Sequence, residues 1–272
     1  MTLPKLTNKQ QEIIRLLYRY RFLNRIQIQK LMGHKDYKTI NLWLKDLREK
    51  QYVEWIYSTD FAEKTKPAIY YVGINGVRYL KTIEDYDKIE VRKRYRESSR
   101  SRTYIDHCLA VADFCVYLKD KTSIGVEYWY LTPSDFIKPD GRRIGVLTTT
   151  ESGYKMTPDL YFEKQYLVDG RAKKATYILE IFDSSLPRYM IKKKLRDYME
   201  NIEYADWEYA TGQKKHPTHL LVCARLTDLI YLKRRTRRLV AEEWDYTSKP
   251  NIWFTTLDKF IENGLGEVWE KA

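Results

Sequence analysis

The chain has 272 residues and a formal net charge of +12, and 43% of its residues are hydrophobic and 14% aromatic. This composition excludes a disordered protein, and no apolar run approaches the roughly 20 residues that a membrane span requires. Residues 1–100 carry 22 Lys and Arg against 12 Asp and Glu, so most of the positive charge is N-terminal. Concentrated positive charge is typical of nucleic-acid binding; the alternative is a solvated surface that aids solubility.

The length allows two domains, each with its own core. The N-terminus lacks the apolar core of a signal peptide, so we expect a cytoplasmic protein without a membrane partner. Three cysteines without CxxC spacing, Cys108, Cys115 and Cys223, indicate neither a disulfide framework nor a zinc site. We expect them to be buried as small apolar residues.

Residues 1–82 are predicted to form the first domain. Apolar residues recur at helical spacing in three segments, and two β-rich runs follow. The predicted elements are helices from Thr7, from Asn24 to Gly33, over 35–50 and over 73–80, and strands over 52–57 and 68–72. A polar segment over 58–67 joins the two strands.

Three helices with a short second one, followed by a hairpin, resemble the winged helix-turn-helix domain. In that family the third helix enters the major groove and the wing touches backbone or minor groove, which implies double-stranded DNA as partner and allows a homodimer. The alternative is a module for protein contacts. The side chains that the resemblance places toward DNA, on the third helix and the wing, are Tyr37, Lys38, Asn41, Lys45, Arg48, Lys64 and Lys66.

Residues 83–103 change from acidic to basic and contain few apolar residues, which predicts a charged linker or a solvated helix. The second domain is expected over 104–272. It should begin with a strongly apolar helix over 103–118 that packs onto a sheet. The remaining predicted elements are strands over 126–131, 144–149, 158–163, 177–182, 218–224 and 251–255, and helices over 187–205 and 227–243. Alternating strands and helices indicate a mixed sheet.

Two carboxylates mark neighbouring predicted strands of this domain. Asp159 follows Pro158 at the start of one strand, and Glu180 lies in the apolar run of the next. Acids on adjacent strands are a common way to hold a divalent cation. The alternatives are a turn hydrogen bond for Asp159 and an ion pair of Glu180 with Arg188 or Lys192.

Pro158-Asp159 followed by Glu180, with flanking helices, resembles the PD-(D/E)XK restriction-endonuclease-like fold. The resemblance implies Asp159 and Glu180 as ligands of Mg²⁺ or Mn²⁺, and a catalytic lysine two residues after the glutamate. Phe182 stands where that lysine should be. Two features could compensate: Asp183 as an additional metal ligand, and an ammonium group from Lys192, Lys193 or Lys194, of which helical phase favours Lys194. The incomplete motif indicates a degenerate site.

The elements along the whole chain are, in order, a winged helix, a helix with His107 and Asp113, the TPD and LE strands, a lysine-rich helix leading to Tyr198, and HPTHLLV. This order resembles the replication-relaxation family of plasmids and integrative elements. The resemblance implies a DNA-binding protein in replication or DNA processing, with replication or transfer proteins as further partners. The alternatives are a magnesium-dependent endonuclease or nickase, and a transcriptional regulator. A tyrosine relaxase is less supported, because the sequence contains no HxH motif.

The predicted fold class is therefore α+β or α/β. An N-terminal winged helix-turn-helix domain is expected to precede a restriction-endonuclease-like domain built on a mixed sheet.

Overall fold

The computed structural model describes residues 2–57, 65–138, 157–184, 186–204, 216–242 and 250–271. The chain divides into two compact units, the first formed by Met1–Lys119 with a short segment that begins at Ile137, and the second by most of the remainder. Helices and two sheets are present in the described residues, which confirms a mixed α+β fold. No helix in these ranges is long and apolar enough to cross a membrane.

The first unit contains helices around a three-stranded antiparallel sheet of order β1-β3-β2. Its helices are α1 (Asn8–Tyr20), α2 (Arg25–Met32), α3 (Tyr37–Glu49), α4 (Ile74–Leu80), α5 (Lys88–Arg92) and α6 (Arg102–Lys121), and its strands are β1 (Leu23–Asn24), β2 (Val53–Ile56) and β3 (Ile69–Val72). The three predicted N-terminal helices, the two strands and the closing helix are all observed.

Side-chain caps explain where the first helices begin and end. Thr7 and Asn24 each accept a hydrogen bond from the backbone N–H three residues later, and the side-chain oxygen of the glutamine at that position accepts one from the cap residue's backbone N–H. These capping boxes satisfy donors that a helix start leaves unpaired. Gly33 ends α2 in the left-handed region, with φ of 64°, which glycine adopts without steric cost.

Helix α6 belongs to the first unit, whereas the sequence placed it in the second domain. Its residues Ile105 and Cys108 pack against Phe22 and against Tyr71 of β3. The Gln27 side chain of α2 donates 2.7 Å to Asp113 of α6. The helix does pack onto a sheet, as its apolar pattern predicted, but that sheet is the small one.

The charged segment predicted as a linker contains α5 and a 3-10 helix, Lys93–Ser99, and it carries a buried ion-pair network. Glu97 has no exposed surface. Arg21 donates two hydrogen bonds of 2.9 Å to its two carboxylate oxygens. Arg94, which is also buried, and Arg100 lie 3.5 and 3.7 Å from the same carboxylate. Several of the charged residues that suggested a linker therefore form ion pairs within the folded unit.

Replacing Glu97 with glutamine should destabilise the first unit by about 3–5 kcal/mol, because buried guanidinium groups would lose their counter-charge. The measurement is the free energy of unfolding of the full chain in urea. Glu12→Gln is the control, since its pair with Lys9 is exposed and should contribute less than about 1 kcal/mol. Equal small losses in both variants would show that the buried network does not stabilise the fold.

The second unit is built on a six-stranded mixed sheet of order β4-β5-β6-β7-β8-β9. Its strands are β4 (Val126–Leu131), β5 (Leu160–Val168), β6 (Arg171–Phe182), β7 (Thr218–Cys223), β8 (Ile252–Thr256) and β9 (Glu270–Lys271), and its helices are α7 (Arg188–Tyr204), α8 (Leu226–Glu242) and α9 (Leu257–Asn263). The predicted strand over 144–149 lies outside the described residues.

The first three strands of this sheet form an antiparallel meander, and β7 and β8 then add in parallel to β6. The turn between β5 and β6 uses Asp169 and Gly170, both with positive φ. That backbone twist matches the twist of an antiparallel hairpin, as the Asp-Gly sequence predicts. The turn therefore fixes the register in which the start of β5 lies opposite the end of β6.

One face of the sheet carries helices α7 and α8 over an apolar core. Side chains from alternating strand positions meet side chains from the two helices, as expected for a half-covered strand face. The core includes Ile178, Phe182, Leu221, Cys223, Ile191, Leu195, Tyr198, Leu229 and Leu232. The three cysteines are buried, as predicted.

Candidate functional site

The two predicted carboxylates lie opposite each other on neighbouring strands. Leu160 pairs with Leu179 in the antiparallel β5–β6 ladder, so continuing the register places Asp159 opposite Glu180. Asp159 Oδ2 accepts a 2.7 Å hydrogen bond from the backbone N–H of Ile181. A hydrogen bond within a turn was one expectation for Asp159. The observed bond instead joins β5 to β6, and it holds this carboxylate beside Glu180.

Glu180 is buried within the sheet and has two partners on α7. Lys194 donates from Nζ to Oε1, and the Tyr198 hydroxyl donates 2.5 Å to Oε2. Only 1% of the Glu180 surface is exposed. An ion pair was one alternative for this residue, but its cation is Lys194 rather than Arg188 or Lys192.

Burial and electrostatic coupling set the protonation of this cluster. Burial, followed by repulsion from Asp159, raises the pKa of Glu180 to about 7. Burial lowers the pKa of Lys194, but attraction to Glu180 and Asp159 outweighs it, so its pKa is raised. Burial also raises the pKa of Tyr198. Near neutral pH the cluster therefore holds a cationic lysine, a neutral phenol and a carboxyl that can gain or lose a proton.

Lys194 also lies beside the position where the nuclease motif has its lysine. Its Nζ is 5.8 Å from the centroid of the Phe182 ring, and Phe182 shares a sheet face with Glu180. The Lys194 ammonium therefore extends from α7, passes beside the Phe182 ring and contacts the Glu180 carboxylate. Helical phase alone pointed to this lysine, and the structure brings it to Glu180.

Asp159 and Glu180 place carboxylate oxygens on neighbouring strands, and such oxygens are the ligand type that a small hard cation prefers. Among the described residues no group of three or more His, Cys, Asp and Glu side chains is arranged to hold a metal ion. Mg²⁺ is, however, commonly held by one or two carboxylates together with substrate phosphates. Asp159 and Glu180 repel each other, and a cation between them would relieve that repulsion. Asp183 lies close enough to Lys194 to raise its pKa.

Sequence reasoning did not assign Tyr198 or His219 to the site. Tyr198 follows Lys194 by four residues, so a helical wheel places both on one face of α7. The His219 ring packs edge-on against Tyr198, with centroids 5.4 Å apart, and it is 1% exposed. Burial lowers the pKa of His219 to about 3, so this imidazole is neutral. The register that pairs His219 with Ile178 cannot be read from spacing along the chain.

The second group of predicted residues lies on α3. Four of them, Tyr37, Lys38, Asn41 and Lys45, are exposed. Their spacing places Tyr37, Asn41 and Lys45 in one row along the helix, with Lys38 beside it. The helix is amphipathic, because its opposite face buries Ile40, Leu44 and Leu47.

Arg48, Lys64 and Lys66 have different surroundings. The Arg48 guanidinium lies 3.3 Å over the Trp55 ring of β2, so it stacks on the hairpin rather than extending from the helix. Lys66 is exposed near the start of β3. Lys64 lies outside the described residues.

The chain is therefore a two-unit α+β protein. One unit has an exposed polar helix face, and the other has a buried carboxylate and tyrosine in contact with a partly exposed lysine. The replication-relaxation family matches it over residues 14–216, which include most of both units. The chain belongs to this family. A comparison with curated proteins gave no match.

The stability of wild type should fall with rising pH more steeply than that of Glu180→Gln, between about pH 5 and 8. Folded Glu180 keeps its proton up to about pH 7, whereas an unperturbed glutamate loses it near 4.5. The folded state therefore binds more protons in this window, and its stability is lost as pH rises through the folded pKa. The difference corresponds to about 3 kcal/mol.

The measurement is the free energy of unfolding of both proteins in urea across that pH range. His219 acts in the opposite direction, because a depressed histidine pKa costs stability as pH falls below 6.5. Both proteins retain His219, so their difference isolates Glu180. Parallel profiles would contradict a raised pKa for Glu180.

Proposed function

We propose that this protein binds double-stranded DNA and acts in replication or DNA processing of a plasmid or other mobile element. Membership of the replication-relaxation family supports the process. The observation that carries DNA binding is the exposed row of Tyr37, Asn41 and Lys45 on α3, in a unit that also has a β hairpin. We interpret this unit as a winged helix-turn-helix domain.

The electrostatics of α3 agree with this interpretation. Asp36 is engaged in capping the helix and accepts from the backbone N–H groups of Lys38 and Thr39, so it is directed toward the helix start. Lys38 and Lys45 extend from the exposed face, where ammonium groups can meet phosphates. An asparagine between them has the amide geometry for a bidentate contact with adenine.

Replacing both Lys38 and Lys45 with alanine should weaken duplex binding and reduce the slope of log K against log salt by about two, because two phosphate contacts are lost. Fluorescence anisotropy over a salt series measures both quantities. The control is Lys9→Ala with Lys88→Ala, which removes the same charge from exposed positions on α1 and α5. Equal slopes for wild type and the α3 variant would exclude this helix from the interface.

A second candidate function is metal-dependent cleavage of DNA by the second unit. The contact between Lys194 and Glu180 favours it, since a lysine beside paired carboxylates is the donor set of the PD-(D/E)XK motif that Phe182 interrupts in sequence. The antiparallel meander followed by a parallel strand on β6 agrees with that fold. We propose that the unit is nuclease-like, with Lys194 in the role of the missing lysine.

Asp159 and Glu180 would hold the divalent ion. Such an ion, when bound, polarises a phosphate and lowers the pKa of a coordinated water. Lys194 would stabilise the ionised form of Glu180 and position a phosphate oxygen or water through its ammonium. Tyr198 fixes the second oxygen of Glu180, so the carboxylate keeps one orientation.

Supercoiled plasmid incubated with Mg²⁺ or Mn²⁺ tests this second function. Glu180→Gln and Lys194→Met should each reduce nicking by about 100-fold or more, because the first weakens a proposed ligand of the ion and the second removes the ammonium beside it. Lys193→Ala is the matched control, as it removes an exposed lysine from the same helix. If wild type leaves the plasmid intact with either metal, cleavage by the second unit is excluded.

A further inference from the structure

A basic groove lies between α7 and α8 in the second unit. Its volume is about 560 Å³. The residues that line it come from one turn of α7 and from successive turns of α8. They are Arg188, Lys192, Thr227, Ile230, Tyr231, Arg234, Arg235 and Arg238. Five of these eight described residues are cationic and none is acidic.

The spacing of the groove residues separates them from the rest of α8. They recur at three and four residues, which places them along one face of the helix. Leu229, Leu232 and Leu239 form the buried face against the core. Lys233 donates 2.7 Å to Glu270, and Arg237 acts on the same carboxylate, so these two cations lie on another side. Glu270 thus offsets the positive charge on that side of α8, whereas the groove side carries three arginines.

The groove arginines form a row suited to repeating phosphates. Arg234 and Arg238 are four residues apart, which is about 6 Å along the helix axis. Arg238 also pairs with Glu242, just beyond the groove. Arg235 Nε is shielded from solvent and has no hydrogen-bond partner among the described residues. A buried donor without a partner is costly, and a guanidinium that turns toward a phosphate would satisfy it.

Two residues that line the groove, Ile230 and Tyr231, are apolar or aromatic, and together they are called its floor. Ile230 is 41% exposed and contributes apolar surface to the groove. Tyr231 is half-buried, and the Arg188 guanidinium lies 5.6 Å over its ring. A duplex presents sugars and phosphates outward and keeps its base faces stacked inside. A single strand exposes bases as well, and a cationic groove with an apolar or aromatic floor is the usual way to bind it.

We propose that the groove between α7 and α8 binds single-stranded DNA, with arginines on the backbone and the floor of Ile230 and Tyr231 against bases. This site shares no residue with α3 or with the Glu180 cluster. Lys194 and Tyr198 lie on a different face of α7 from Arg188 and Lys192. The inference rests on the proposed function for the identity of the partner as nucleic acid.

The experiment compares three ligands on the full chain: a labelled poly-dT strand of about 20 nucleotides, longer than one site, a duplex of equal length, and a poly-glutamate peptide. The groove variants are Arg234→Ala with Arg238→Ala on α8, and Arg188→Ala with Lys192→Ala on α7. Lys233→Ala with Arg237→Ala is the control, because it removes the same charge from the other side of α8. Circular dichroism and thermal unfolding confirm that each variant is folded.

Both groove variants should bind poly-dT about tenfold more weakly, with a salt slope reduced by about 1.4 for two lost contacts. The control variant should match wild type, and duplex affinity should change less than about twofold, since α3 carries duplex binding in the proposed function. If the α3 variant left duplex binding unchanged, α3 would be excluded from the duplex interface, but the effect of the groove variants on poly-dT would still stand.

Unchanged poly-dT binding in both groove variants would overturn the inference. If the groove variants weakened binding of poly-dT and of the duplex equally, the inference would also be overturned, and the groove would contact the nucleic-acid backbone of either ligand. A larger effect on poly-glutamate than on poly-dT would identify an acidic protein as the occupant. Duplex binding without any strand binding by wild type would leave the proposed function intact and exclude a single-strand site.

Discussion

The contact of Glu180 with Lys194 and Tyr198 is the interaction on which the second unit depends. A carboxylate in the middle of a buried strand is costly unless charge and hydrogen bonds compensate it. Helix α7 supplies both, through an ammonium on one oxygen and a hydroxyl on the other. This contact ties α7 to the sheet face at a fixed rotation.

That rotation determines what each side of α7 can do. Lys194 and Tyr198 face the sheet at Glu180, whereas Arg188 and Lys192 line the groove with α8. A run of three lysines looks uniform in sequence, but the helix turns by about 100° per residue and distributes them to different surroundings. One helix therefore serves both the carboxylate cluster and the basic groove.

Charge patterns were less informative than apolar patterns. The segment 83–103 looks like a linker because local composition counts its charges as solvated. In the fold, Glu97 is buried and forms ion pairs with Arg21, Arg94 and Arg100. Arg21 lies 76 residues away in sequence, and no local pattern contains such a pairing. The same reason explains why α6 was assigned to the other unit, since its apolar face did not specify which sheet it covers.

The sequence by itself determined the kinds and order of the elements, because capping residues, the Asp-Gly turn and apolar periodicity act within a few residues of the chain. It also indicated Asp159, Glu180 and Lys194, since their strands and helix could be placed from pattern. Only the tertiary structure decided that Asp159 faces Glu180, that Lys194 approaches it over Phe182, and that Tyr198 and His219 complete the cluster. These contacts depend on strand register and helix rotation, which are fixed by packing between residues far apart in the chain.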